Sequence, residues 1–159
     1  MDDLALSIDF WRQVAIATVC GGSVGLERQL HGKPMGVRTG MLICVATALF
    51  VLFGTRLAGS HGDPSRIIGQ VVVGIGFLGA GVIFNRGDTV QGLTSASLIW
   101  LLGALGSAAG LGLVWTPLLL AAAAILTVAG LERLTRHIPA LRRGAHAPRE
   151  LDSRDRPQV

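Results

Sequence analysis

Residues 63–112 read DPSRIIGQVVVGIGFLGAGVIFNRGDTVQGLTSASLIWLLGALGSAAGLG, and this stretch decides the class of fold. Its first part, residues 67–84, holds 18 consecutive uncharged and mostly apolar residues. That is about the length of helix that crosses the hydrocarbon core of a bilayer. The second part continues without charge beyond residue 88, so the stretch predicts two membrane-spanning helices with polar residues between them.

The glycines in this stretch also allow a nucleotide-binding interpretation. Gly74, Gly76 and Gly79 spell GxGxxG after three valines, as in a dinucleotide-binding loop. That motif needs a surrounding strand–helix–strand unit and an acidic residue about 20 positions further on. Asp88 comes too early and the next acid is Glu132, so we reject this interpretation.

Charge distribution along the rest of the chain predicts five helices. Half of the 159 residues are hydrophobic, and four segments are largely free of charge, the first of them (about 10–26) with Arg12 at its edge. The last of them, residues 89–131, has 43 residues, about twice the length of one span, so it must turn once, near Gly110–Gly112 through Pro117. We predict an all-α transmembrane domain over residues 1–137, with helices at about 10–27, 38–57, 66–84, 90–111 and 114–134. Residues 138–159 are predicted to be a basic, disordered cytoplasmic tail.

Basic residues also predict the orientation of these helices. With the N-terminus outside, 11 lysines and arginines lie on the inner side and three on the outer side. This bias favours five spans, with the C-terminus in the cytoplasm. The net charge of +4 is explained by the basic residues that membrane topology places on the inner side, so we predict no nucleic-acid partner. The two cysteines show no metal-binding spacing and are read as small apolar residues.

Polar groups at the ends of the spans are candidate functional residues, because hydrocarbon makes them costly. At the inner end, Glu27 either binds a cation or pairs with Arg38, and pairing is favoured. At the outer end, Asp63 is predicted to cap the third helix, with a ligand role as the alternative. The candidate polar residues derived in this way are Glu27, Arg28, Arg38, Asp63, Arg66, Gln70, Asn85 and Thr94. The four histidines fall in predicted loops and the tail and are read as solvated.

Small residues one turn apart predict close helix packing. Such pairs occur in the first helix at Gly21 and Gly25, in the third at Gly76 and Ala80, and in the fourth at Gly106 and Gly110. They would pack within one protomer or between two, so a homo-oligomer is an open alternative. The glycines assigned to helix packing are Gly74, Gly76, Gly79, Gly81, Gly106 and Gly110.

Three blocks together resemble the MgtC/SapB family of bacterial inner-membrane proteins. They are GGSVGLERQLHGKPMGVRTG (21–40), DPSRIIGQVVVGIGFLGAGVIF (63–84) and GLTSASLIW (92–100). The resemblance adds Thr39 to the candidate polar residues. The chain differs from the family pattern at Asn85, where many members have a basic residue, and at Ser95 and Ser97. Longer members carry a soluble C-terminal domain, which we expect to be absent from this short form.

The resemblance implies a non-enzymatic regulator linked to magnesium homeostasis, low-magnesium growth or virulence. It also implies a membrane-protein partner, the F-type ATP synthase in the best-known branch, beside the lipid bilayer itself. No cofactor is expected, and whether a metal binds is left open. The alternative function is a small oligomeric Mg²⁺ transporter or channel that uses Glu27, Asp63 and Gln70. No nucleophile–base pair is evident in the sequence, so an enzyme is the weakest class.

Overall fold

The computed structural model describes residues 7–59, 63–86 and 89–137 of the chain. Five helices follow one another: α1 (Ile8–Leu30), α2 (Val37–Ala58), α3 (Pro64–Ala80), α4 (Leu93–Gly110) and α5 (Trp115–His137). A short antiparallel hairpin, β1 (Phe84–Arg86) and β2 (Thr89–Gln91), lies between α3 and α4. The five predicted helices are therefore present. The predicted tail at 138–159 lies outside the described residues.

Three of these helices are long and apolar enough to cross a membrane: Val37–Ala58, Leu93–Gly110 and the Trp115–Leu134 part of α5. The 17-residue α3 is a shorter apolar helix. In α1, charged residues stand near both ends, with Asp9 and Arg12 paired at 3.0 Å in its first turns. The chain is a helical membrane protein in which the described part contains three clear candidate spans.

The predicted third helix is too long at its C-terminal end. It was expected to continue to residue 84, but α3 ends at Ala80 and the chain turns through Gly81 and Val82. The residues that follow pair across the hairpin, with Phe84 opposite Gln91 and Asn85 opposite Val90. The all-α prediction is wrong here, because backbone pairing between these two short segments satisfies hydrogen bonds that a longer helix would have made.

The turn in the 43-residue uncharged segment lies where the glycines predicted it. After α4, the chain reverses at residues 111–114, and Gly112 has φ 85°. This left-handed conformation is strained for residues with a Cβ and common for glycine at the end of a helix. Gly112 also lies beside Gln13, since a Cβ there would be 3.3 Å from the Gln13 amide nitrogen. This contact places the start of α1 and the α4–α5 turn at the same end of the bundle.

Helices α1, α2 and α4 form the core, and glycines bring their backbones together. A Cβ on Gly21 would collide with the Gly40 carbonyl of α2, and one on Gly25 with the Gly36 carbonyl. In α4, a Cβ on Gly106 would collide with the Cys44 carbonyl, and one on Gly110 with that of Ala48. The predicted packing faces of the first and fourth helices therefore both pack against α2. Both cysteines are fully buried in this contact region, as small core residues.

Helix α3 packs on the outside of this core, and its glycines behave differently. Gly79 is buried against the Ala96 carbonyl of α4, which a Cβ on Gly79 would approach to 3.5 Å. Gly74 and Gly76 have no neighbour within 4 Å of a Cβ, and a Cβ on Gly81 would meet only carbonyls of its own helix. Within this protomer, the described residues leave Gly74, Gly76 and Ala80 unpacked. Helix packing through these three residues would need a partner outside the described part of the chain.

Candidate functional site

The polar side chains converge at one end of the bundle, which we call the charged end. It comprises the C-terminal turns of α1 and α5, the loop at residues 31–36, the β-hairpin and the first turn of α4. The loop is held to α1 by hydrogen bonds from the Lys33 N–H to the Arg28 carbonyl and from the Val37 N–H to the Gln29 side chain. These bonds fix the position of the start of α2 relative to the end of α1.

Arg28 is the central residue of an ion-pair cluster at this end. Its guanidinium lies 3.4 Å from a carboxylate oxygen of Glu27 and 3.6 Å from one of Glu132. The side chain is only 1% exposed, and that of Glu27 only 8%. Glu132 belongs to α5, so Arg28 joins the end of the first helix to the end of the last. A buried charge needs such partners, because leaving it unpaired costs several kcal/mol.

His31 and Lys33 complete the cluster from the loop side. The Nδ1 atom of His31 lies 2.8 Å from the Glu27 carbonyl oxygen and 3.1 Å from a Glu27 carboxylate oxygen, Oε1. Its Nε2 atom lies 3.6 Å from Glu132, and the Lys33 ammonium lies 3.3 Å from the same residue. The ion-pair cluster thus consists of Glu27, Arg28, His31, Lys33 and Glu132.

Two buried polar atoms of the cluster have no hydrogen-bond partner among the described residues: Glu27 Oε1 and Arg28 Nε. His31 Nδ1 approaches Glu27 Oε1 but lies closer to the backbone carbonyl, and one N–H serves one acceptor well. Unsatisfied buried polar atoms are uncommon in folded proteins and call for a specific explanation. These two atoms mark the cluster as the polar site with the greatest unused hydrogen-bonding capacity in the described interior.

The cluster has the donor atoms for a cation, although its charges are already compensated. One atom each from Glu27, His31 and Glu132 lies within 4.8 Å of the others. Carboxylate oxygens are the ligands that Mg²⁺ prefers, whereas imidazole is more typical of transition metals. Arg28 and Lys33 already pair with these carboxylates, so a cation would compete with two basic groups.

A polar cavity of about 630 Å³ opens beside the cluster. One wall carries Arg28, Lys33 and Glu132, and the opposite wall is formed by β2 and the first turn of α4. Thr94 and Ser95 line this second wall, and Ser95 is 98% buried. Because it combines charged groups, hydroxyls and a helix N-terminus, this cavity is suited to a small polar ligand.

The residues predicted at the inner end are only partly brought together. Glu27, Arg28 and Thr94 lie in the cluster or its cavity, whereas Arg38, Thr39 and Asn85 are exposed and outside both. The predicted Glu27–Arg38 pair is wrong, since Glu27 pairs with Arg28 and His31 instead. Arg38 lies on the exposed side of the first turn of α2, whereas Glu27 faces α5.

Sequence reasoning missed His31, Lys33 and Glu132. The sequence predicts a solvated His31, but this residue contacts two carboxylates and is the C-cap of α1. One signal was available: Glu27 and His31 are four residues apart, a spacing that places two side chains on one face of a helix. No comparable signal pointed to Glu132, because it approaches the cluster only through tertiary packing.

The outer candidate residues form a helix cap and not a second cluster. The Asp63 carboxylate accepts hydrogen bonds from the Ser65 N–H at 2.9 Å and the Ser65 hydroxyl at 2.8 Å. These bonds hold the pKa of Asp63 below its usual range. With Pro64 in the first turn, the predicted cap is confirmed. Arg66 and Gln70 are exposed.

Comparison with known proteins shows which family the sequence is similar to. The family model described as "MgtC family" matches residues 14–137. A Brucella abortus protein named "Protein MgtC" is 37% identical over 151 residues, covering 87% of this chain and 61% of its own length. The Escherichia coli K12 protein "Putative magnesium transporter YhiD" is 40% identical over 115 residues, or 68% of this chain and 54% of its own.

A third relative, an uncharacterised protein of Haemophilus influenzae, is 40% identical over 112 residues and is covered over 47% of its length. The chain thus spans about half to three-fifths of the length of these curated relatives. No solved structure matches the chain. The family match covers most of the sequence, including α2 to α5 and most of α1. The chain therefore belongs to the MgtC family.

Proposed function

We propose that the protein is a non-enzymatic membrane regulator in magnesium homeostasis that acts by binding another membrane protein. The observation that carries this proposal is the apolar, closely packed interior between the two ends of the bundle. A transporter needs a polar path or site at membrane depth. The relative named as a putative magnesium transporter supports the link to magnesium, and the family resemblance extends it to low-magnesium growth and virulence.

Packing in the interior argues against a cation path through one protomer. Between the ion-pair cluster at one end and Gln13 at the other, the α1–α2–α4 core contains Cys20, Val24, Leu102 and Leu105, each essentially inaccessible. Backbone contacts at Gly106 and Gly110 leave no room for a side chain, let alone a hydrated ion. The buried Ser107 hydroxyl donates to the Gly103 carbonyl of its own helix at 2.8 Å, so it is not free to bind a passing ion.

The outward side of α3 is the surface we assign to the partner. Ile75 and Gly79 face the core, and helical periodicity places Val73 and Phe77 on the opposite side, where they are 71% and 82% exposed. Gly74 and Gly76 flank these two residues and have open space around them. We define the α3 surface as Val73, Gly74, Gly76 and Phe77. Glycines beside the ridge formed by Val73 and Phe77 let a second transmembrane helix approach closely. The family resemblance suggests the F-type ATP synthase as the partner.

The proposal also includes five spans, with the N-terminus outside and the C-terminus in the cytoplasm of a bacterial inner membrane. The asymmetry of lysine and arginine supports this orientation. It places the charged end, with its cluster and cavity, at the cytoplasmic interface. Reporter fusions at each loop test the orientation, and a periplasmic C-terminus would exclude it.

Bulky residues on the α3 surface should abolish partner binding without unfolding the protein. We expect Gly76→Leu to prevent co-purification of the F-type ATP synthase with the tagged protein from membranes, because the leucine fills the space needed by the partner helix. The fold should persist, since no atom lies within 4 Å of a Cβ at this position. The measurement is the amount of ATP synthase subunit recovered per amount of bait, together with the melting temperature of the bait.

Leu126 provides a matched control for this experiment. It is 73% exposed on α5, so Leu126→Gly changes an exposed apolar position on another helix. Recovery of the partner should stay within about twofold of the wild type for this variant. Equal recovery with Gly76→Leu and the wild type would refute the assignment of the α3 surface. Failure of the wild-type protein to recover any ATP synthase would refute that partner.

Transport of Mg²⁺ is the second candidate function, and the converging donor atoms of Glu27, His31 and Glu132 favour it. We test it with purified protein in liposomes that contain a magnesium-sensitive dye and a membrane-potential probe. On our proposal, influx equals that of protein-free liposomes. A flux above that of protein-free liposomes that is lost in Glu27→Gln or in Asp63→Asn would overturn the regulator in favour of a transporter.

A further inference from the structure

We propose that the cavity at the charged end binds a phosphoryl group. The cavity brings together two basic side chains, the uncapped N-terminus of a long helix and a buried guanidinium N–H without an acceptor among the described residues. Each of these features favours an oxygen-rich anion, and they face the same space. The proposal does not depend on whether the protein regulates a partner or transports an ion.

Arg28 and Lys33 supply the positive charge. The Arg28 side chain lines the cavity while it is almost fully buried, and its Nε–H has no acceptor among the described residues. Lys33 is 41% exposed, so its ammonium group can turn toward a ligand. Glu132 is the acidic group in the lining, and both basic groups pair with it. The lining carries two basic groups and one acid, and the buried Glu27 beside Arg28 balances the charge of the cluster as a whole. An anion would therefore be held here by directed N–H donors and not by net charge.

The first turn of α4 supplies hydrogen-bond donors on the opposite wall. Helices α1 and α3 begin with side-chain caps from Ser7 and Asp63, whereas α4, like α2, has a glycine as its N-cap and no side-chain cap. Gly92 has φ 92°, and a Cβ there would collide with the Val82 carbonyl, so the position excludes capping residues. The three amide groups at 93–95 have no intrahelical acceptor and are left available for an anion.

The independent observation that points to a ligand is the Arg28 Nε–H. It is buried and has no acceptor among the described residues, and the Arg28 side chain lines the cavity. Ser95 lines the same cavity and is only 2% exposed. A buried donor without an acceptor is costly, and a phosphoryl oxygen would accept from the Arg28 Nε–H.

These features define a phosphoryl group and leave its carrier open between two sources. A phosphoryl oxygen can accept from the α4 amides and Ser95 on one wall and from Arg28 and Lys33 on the other. At about 630 Å³ the cavity also has room for the molecule that carries the group. The charged end lies at the membrane interface in our topology, so the group can belong to a soluble phosphate compound or to a phospholipid headgroup.

The test uses the full chain with inorganic phosphate and with phosphatidic acid as the two probes. In detergent, the melting temperature is followed against phosphate concentration, with chloride at matched ionic strength as the reference. In nanodiscs of neutral lipid doped with phosphatidic acid, bound lipid is counted by native mass spectrometry. We expect saturable binding of at least one probe, and the probe that binds identifies the source of the phosphoryl group.

Three variants give the test its specificity. Lys33→Gln should weaken binding about tenfold, because it removes one charge-assisted hydrogen bond. Ser95→Asp should abolish binding while keeping or raising the melting temperature, since the new carboxylate binds the α4 amides in place of the ligand. Arg38→Gln removes a basic residue at the same end but outside the cavity, and affinity should stay within about twofold.

Several results would overturn the proposal. One is the absence of saturable binding of both probes to the wild-type protein. Another is an equal loss of affinity in Arg38→Gln and Lys33→Gln, which would indicate attraction to the basic surface as a whole. Unchanged affinity in Lys33→Gln would also count against it, and this variant keeps the test valid even if Ser95→Asp fails to fold.

Discussion

Gly106→Ala should destabilise the protein by about 1–3 kcal/mol, the usual cost of adding a methyl group to a packed core. The reason is geometric, because the new Cβ would collide with the Cys44 carbonyl and would lie 2.8 Å from the Thr47 Cβ. A backbone carbonyl cannot rotate away as a side chain can, so α2 and α4 must separate along their contact. The measurement is the free energy of unfolding in detergent or bicelles, supported by the melting temperature.

The control is the same substitution on α3. A Cβ at Gly74 meets no atom within 4 Å, and alanine favours helical conformation more than glycine does. Gly74→Ala should therefore leave stability unchanged or raise it slightly. Equal effects of the two variants would show that the α2–α4 contact is looser than described here.

Arg28→Met should be the most damaging single change at the charged end. It leaves Glu27 buried with only His31 beside it and removes the link between α1 and α5. Removing one member of a buried ion pair typically costs about 3–5 kcal/mol, because the remaining charge is left uncompensated. We expect a fall in the free energy of unfolding of this size, with faster hydrogen exchange in the last turns of α5.

A double-mutant cycle separates charge from packing in this effect. The pair Glu27→Gln and Arg28→Met removes both charges, so the double variant should be more stable than Arg28→Met alone. Arg38→Gln, at an exposed position of α2, should change stability by less than about 0.5 kcal/mol. If the double variant were as unstable as the sum of the two single ones, Glu27 and Arg28 would not be energetically coupled.

The helices could be predicted because their signals are local in the sequence. The lengths of the uncharged segments predicted the positions of the five helices. Gly112 with its neighbours predicted the reversal between α4 and α5. The Asp63–Pro64 pair predicted the start of α3 in the same way. The distribution of basic residues then predicted the orientation of the helices in the membrane, which the fold itself does not determine.

The hairpin was missed although its signal was present. Residues 87 and 88 are Gly and Asp, a pair typical of two-residue hairpin connections, and they stand between short segments with β-branched or aromatic residues. The uncharged run to residue 84 outweighed that signal. A hydropathy argument measures the length of an apolar segment, and it has no information on where backbone hydrogen bonding changes from helix to strand.

The ion-pair cluster could be predicted only in part, for a different physical reason. Glu27 and Arg28 were identified because they are polar groups at the end of a span. Their partner Glu132 lies about a hundred residues later, and which face of α5 turns toward α1 depends on the packing of the whole bundle. The same limit applies to α3, whose glycines suggest close packing although Gly74 and Gly76 have no neighbours in the protomer.

The pairing of Arg28 with Glu132 has a consequence for biosynthesis. Arg28 leaves the ribosome long before Glu132, so the nascent chain must hold a cation at the end of α1 with Glu27 as its adjacent carboxylate. Insertion of α5 then supplies the second acid and lets the arginine become buried. The fifth helix thus completes the ion pairs of the first, and Arg28 is fully buried only once α5 is in place.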